Sequence, residues 1–92
     1  MIAFDTLAEL ILKDGLLKKY NLKKIGVFGS ILHSENPNDI DLYVEDFNDY
    51  NDLIGFKNEI ESKTGKSVDI VIEKYASPII VFRAKKELRY VA

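Results

Sequence analysis

The stretch DIDLYVE, residues 39–45, constrains this chain more than any other. Side chains alternate between the two faces of an extended backbone. Ile40, Leu42 and Val44 therefore share one face, and Asp39, Asp41 and Tyr43 share the other. A strand with one apolar and one acidic face belongs in a sheet with a core on one side and polar chemistry on the other. Two further stretches complete that sheet. In SVDIVIE, Val68, Ile70 and Ile72 take one face and Asp69 the other. KKIGVFG shows no alternation, which predicts a central strand covered on both faces.

Helices fill the intervals. Residues from about Asp5 to Tyr20 read as one helix, with Thr6 and Glu9 as a capping box and Leu7, Leu10, Ile11 and Leu17 near one face. Gly15 interrupts that pattern, and Asn21 can end the helix in a left-handed conformation. Residues 30–34 suit a short helical turn opened by Ser30, and ENPND is a loop of turn-forming residues. A second long helix runs from about Tyr50 to Lys63, with Leu53, Phe56 and Ile60 inward and Gly65 as its C-terminal cap. Ser77 and Pro78 open a final helix as cap and first residue, with Ile79, Phe82 and Leu88 on its apolar side. The expected order is α-β-α-β-α-β-α, an α/β (α+β) arrangement.

The chain of 92 residues is expected to form one domain, residues 1–92, with a small core. A net charge of −2 argues against a protein held to nucleic acid mainly by counterion release. The absence of cysteine removes disulfides and thiolate zinc sites, and one histidine, His33, cannot build a His-rich metal site. With no basic leader and no long apolar run, a cytoplasmic protein away from membranes is the simplest reading.

Asp39 and Asp41 lie about 7 Å apart along a strand and can converge above its face. If the third strand neighbours the second, Asp69 reaches the same region. Crowded carboxylates either rise in pKa or hold a divalent cation, and oxygen ligands favour Mg²⁺ or Mn²⁺. An Asp-x-Asp pair also serves simply to solvate a strand end. Gly29 and Ser30 close the first strand, where a glycine lets the backbone approach a ligand and the amides and hydroxyl can face an anion. A tight turn with a serine cap accounts for the same pair. Together, a phosphate cradle and a neighbouring metal site suggest nucleotide chemistry.

GVFGS, followed by NDIDLYVE and VDIVIE, resembles the nucleotidyltransferase superfamily of DNA polymerase β. The short chain, with LIGFKNEIESKTGKSVDIV and AKKELRYVA, is most similar to the minimal nucleotidyltransferases (MNT), over about Leu16 to Ala92. The resemblance implies a small mixed sheet, three-stranded or slightly larger, flanked by helices. It implies Mg²⁺, two ions, held by Asp39, Asp41 and Asp69, the last also a possible base, with ATP as substrate and its terminal phosphates at Gly29 and Ser30. It implies a HEPN-domain toxin as partner, silenced by transfer of AMP to a tyrosine. Members commonly carry an arginine and a glycine after the Gly-Ser, where this chain reads ILHS. His33 is then either a weak substitute for that arginine or a surface loop residue.

Three functions stay open on these residues: transfer of AMP to a protein, neutralisation of a partner by binding alone, and transfer to a small molecule. A chain this short cannot enclose a nucleotide well, which predicts a homo- or hetero-oligomer. Arg83 is a candidate for contact with nucleotide or partner, or a surface side chain. Tyr43, Phe47 and Tyr50 are candidates for stacking on a base, or for core packing.

Overall fold

The structure, a computed structural model, describes residues 4–33 and 39–91. Four strands form one mixed sheet: β1 (Ile25–Phe28), β2 (Asp39–Val44), β3 (Ser67–Ile72) and β4 (Arg89–Tyr90), in the spatial order β3-β2-β1-β4. β2 runs antiparallel to β1 and parallel to β3, and β4 pairs antiparallel with the outer side of β1. The helices are α1 (Phe4–Lys13), α2 (Leu16–Lys19), α3 (Tyr50–Thr64) and α4 (Pro78–Glu87), and a 3-10 turn spans Gly29–Leu32.

Register turns the alternation into two faces. Val27 opposes Leu42 and Ile40 opposes Val68, so the apolar residues of all three long strands share one side. That side packs against Leu7 and Ile11 of α1 and Leu53, Phe56 and Ile60 of α3, all essentially inaccessible to solvent. Burying an aliphatic or aromatic side chain stabilises by about 1.5–3 kcal/mol, so this one layer accounts for most of the drive to fold. β1 is covered on both faces as expected. On its other side Leu88, just past α4, lies so close to Gly26 that any Cβ there would collide with it.

Local signals held where the chemistry is local. Gly65 closes α3 with a φ of 71°, and the structure adds an N-cap, the Asp49 side chain accepting from the Asn51 amide. Ser77 accepts from the Ile80 amide with Pro78 as the first helical residue, and Asn21 is left-handed with a φ of 56°.

Four expectations are corrected. The first helix is two: Gly15 takes a φ of 63° and starts α2, and the resulting rotation buries Leu16 rather than Leu17. Thr6 lies inside α1 and is not its cap. The last helix stops at Glu87, because Leu88 turns extended and Arg89–Tyr90 add a fourth strand, so the order ends in β rather than α. Ile79 and Phe82 point outward, with about two-thirds of their surface exposed, while Ala84 is the buried residue of α4. The predicted ENPND loop, apart from Asp39, lies outside the described residues. Among the described residues, no helix is long and apolar enough to cross a membrane.

Candidate functional site

The polar face of the sheet carries the candidate site. Parallel pairing sets Asp41 directly beside Asp69 and Asp39 beside Ser67, and antiparallel pairing sets Asp41 beside Phe28, the residue before Gly29. The condition on which Asp69 could join the pair is thus met: β3 neighbours β2. Asp39 and Asp69 are exposed, and Asp41 is half-buried.

Gly29 adopts a φ of 83°, in the left-handed region that L side chains avoid. The carboxylate of Asp41 lies against its α-carbon: a Cβ built there would sit 3.2 Å from the Asp41 Cγ and overlap Oδ2. Glycine is therefore required twice at this position, for backbone and for space. The Ser30 hydroxyl donates to the Asp39 carbonyl oxygen at 3.4 Å, tying the turn to the start of β2. Ser30 does not cap the turn through its side chain; the extended residue before the turn is Phe28.

Electrostatics mark Asp41. Burial holds its carboxyl above the ordinary carboxylate pKa, and the charges of Asp69, Asp39 and Glu87 push it the same way. Among the described residues, no three acidic or imidazole groups gather as a metal-ligand cluster. The backbone sets Asp41 directly beside Asp69, with Asp39 two residues along the same strand. Three carboxylates on one face, one of them half-buried, nevertheless have the chemistry that suits a hard divalent cation.

Glu87, at the end of α4, is the site residue that sequence reasoning missed. Its Oε1 accepts from the Gly29 amide at 3.0 Å, and its Oε2 pairs with His33 Nε2 at 2.7 Å. The two bonds hold its carboxyl below the usual carboxylate range, the His33 contact contributing most. His33 is indeed at the surface, and the structure adds this partner to it.

The aromatic candidates separate cleanly. Tyr43 is fully buried, edge-on to Phe28 at 6.5 Å between centroids, and donates its hydroxyl to Glu73, so it cannot stack on a base. Phe47 is half-buried against the core. Tyr50 is exposed and lines an open cleft of about 310 Å³ between α3 and β3, with Ile54, Lys57, Asn58, Asp69 and Ile70. Arg83 is exposed on α4.

A mixed sheet with an acidic pair on one strand, a third acid on its parallel neighbour and a Gly-Ser turn beside them defines a nucleotidyltransferase-type palm. The sequence profile described as polymerase beta, nucleotidyltransferase, matches residues 12–91, and the chain belongs to that family. Solved structures share the fold. A toxin–antitoxin crystal structure with AMP-PNP is 24% identical, with a TM-score of 0.71 over 92% of this chain and 72% of that one. The MNT antitoxin structure in complex with a tri-AMPylated Shewanella oneidensis HEPN toxin is 23% identical, with a TM-score of 0.69 over 96% and 71%. The toxin–antitoxin MntA–HepT is 22% identical, with a TM-score of 0.68 over 96% and 71%. At these identities the likeness establishes architecture. No curated protein sequence matches the chain significantly.

Proposed function

We propose that this chain is a Mg²⁺-dependent nucleotidyltransferase that transfers AMP from ATP to a tyrosine hydroxyl of a HEPN-type toxin, acting as the antitoxin of the pair. One observation carries the reading. Asp39, Asp41 and Asp69 share one sheet face beside Gly29 and Ser30. The bound nucleotide and the AMPylated toxin of the structures with the same fold support it.

In this reading Asp39, Asp41 and Asp69 hold Mg²⁺, which supplies positive charge against the phosphates and the developing oxyanion. Gly29 and Ser30 offer an amide and a hydroxyl to the terminal phosphates. The tyrosine oxygen forms a bond to the α-phosphorus, the bond from that phosphorus to the bridging β-phosphate oxygen breaks, and pyrophosphate leaves. Asp69 stands at the sheet edge beside the open cleft, where it can accept the phenolic proton. Positioning and charge neutralisation carry most of phosphoryl-transfer catalysis, which suits a small domain.

The test is incubation with α-labelled ATP, Mg²⁺ and a HEPN-type partner. Label should appear on a partner tyrosine and vanish with Asp41→Asn. An unlabelled partner, or label that survives Asp41→Asn, refutes the proposal. A second reading, neutralisation by binding alone, is favoured by the Glu87 carboxylate on the Gly29 amide and by ILHS in place of an arginine. It predicts that Asp39→Asn/Asp41→Asn still neutralises the toxin.

A further inference from the structure

Glu87 is badly placed for a helix. It is the last residue of α4, where the negative end of the helix dipole and the unpaired carbonyls disfavour an anion. It also faces the site that already holds Asp39, Asp41 and Asp69, and its charge adds to those acting on Asp41. Something must hold it there. The structure provides two donors from the turn after β1, the Gly29 amide at 3.0 Å and His33 Nε2 at 2.7 Å, reached across 58 and 54 residues of chain. Both carboxylate oxygens are thus engaged, and α4 is tied to the Gly-Ser turn at its far end.

We infer that Glu87 is a built-in competitor for the nucleotide's phosphate: its carboxylate occupies the Gly29 amide and must leave before a phosphate oxygen can take that donor. The inference rests on the nucleotidyltransferase reading above, in which Gly29 meets the terminal phosphates. A carboxylate and a phosphate oxygen use the same donor in the same way, and one N–H cannot serve both fully. Displacement releases Glu87 and also frees His33, which stands in the stretch where members of the family commonly carry an arginine. The exchange substitutes a multiply charged ligand for a side-chain anion, so the site stays closed on itself until nucleotide arrives.

The experiment measures binding of Mg²⁺·ATP to the full chain by calorimetry, for wild type, Glu87→Gln and Glu87→Asp. It also follows the Gly29 amide resonance in nucleotide-free protein. Glu87→Asp keeps the charge but is one methylene too short to reach the amide. Glu87→Asp, which vacates the donor, should bind about tenfold more tightly, the scale of one hydrogen bond to a charged group, and Glu87→Gln, whose amide oxygen still accepts from Gly29 but without charge, should tighten by less. The Gly29 resonance should shift upfield in Glu87→Asp as its acceptor is lost. Tightening by Glu87→Gln alone would mean that bulk charge repulsion is relieved, and would overturn the inference. Unchanged affinity in both variants, with wild type binding normally, would overturn it while leaving the nucleotide reading intact. If wild type and both variants all fail to bind, the nucleotide reading falls and this inference with it, even where the Gly29 resonance moves.

Discussion

Gly29→Ala should damage this protein in a way that separates backbone strain from crowding at Asp41. The φ of 83° costs an L residue about 1–2 kcal/mol. The new methyl also meets the Asp41 carboxylate, whose Cγ lies 3.2 Å from the built position. Asp41 can yield by rotating off its preferred rotamer, at about 0.5–1.5 kcal/mol. The total expected loss is about 2–3 kcal/mol, a large part of the stability of a domain this size. Gly65→Ala is the internal control, because Gly65 has a similar φ of 71° and nothing within 4 Å of a built Cβ. It should lose only the backbone part, about 1–2 kcal/mol. Urea unfolding followed by circular dichroism gives both values. Combining Gly29→Ala with Asp41→Ala should recover the crowding part as a coupling energy of about 0.5–1.5 kcal/mol. Equal losses at Gly29 and Gly65, or a coupling near zero, would show that Asp41 does not rest on Gly29.

Five further outcomes are expected. Asp41→Asn should raise the thermal midpoint near neutral pH without metal, because it removes a partly buried charge among like charges. The raised pKa of Asp41 also means that its contribution to stability is fully present below 3.8 and is lost as pH rises through the folded value; melting curves across acid pH should show this slope, and Asp41→Asn should flatten it. Tyr90, held by Glu45, is pushed up to about 12 and Tyr43 further, so both stay neutral as pH rises past 10 and stability falls above that; phenolate absorbance should miss these two groups until the protein unfolds. Phe56→Ala, at a fully buried site edge-on to Tyr20, should cost about 3–5 kcal/mol in urea unfolding. If the proposed Mg²⁺ site is real, millimolar Mg²⁺ should raise the midpoint of wild type and leave that of Asp39→Asn/Asp41→Asn unchanged.

What could be read in the sequence was what neighbours in sequence decide. Alternation assigned both faces of β2 and β3 correctly, since the pleat leaves no choice once a strand forms. The caps at Ser77 and Gly65 follow from chemistry within one helical turn. Once β3 pairs in parallel beside β2, the same alternation places Asp39, Asp41 and Asp69 on one face. The misses are non-local. Gly15 breaks the first helix because Leu16 finds a core to enter, and no neighbour of Gly15 announces that core. Arg89–Tyr90 is a strand only because β1 has an open side. Glu87 is not singled out by the sequence reading. Its partners, Gly29 and His33, lie more than fifty residues away.

The mixed sheet also orders the events of folding. β1 and β2 pair within residues 25–44, a contact between near neighbours along the chain. Asp41 therefore meets Gly29 as soon as that hairpin closes. Asp69 reaches Asp41 only through the parallel pairing of β3, which must wait for α3 to form and cross over. Long-range parallel pairing closes late, because loop entropy is lost before contacts compensate for it. The cradle and the acidic pair are thus an early product of the chain, and the third carboxylate and Glu87 are late ones. Conservative substitutions at Val27 and Leu42 should slow folding, whereas those at Val68 should mainly speed unfolding. Stopped-flow kinetics with the reverse pattern would place β3 in the nucleus instead.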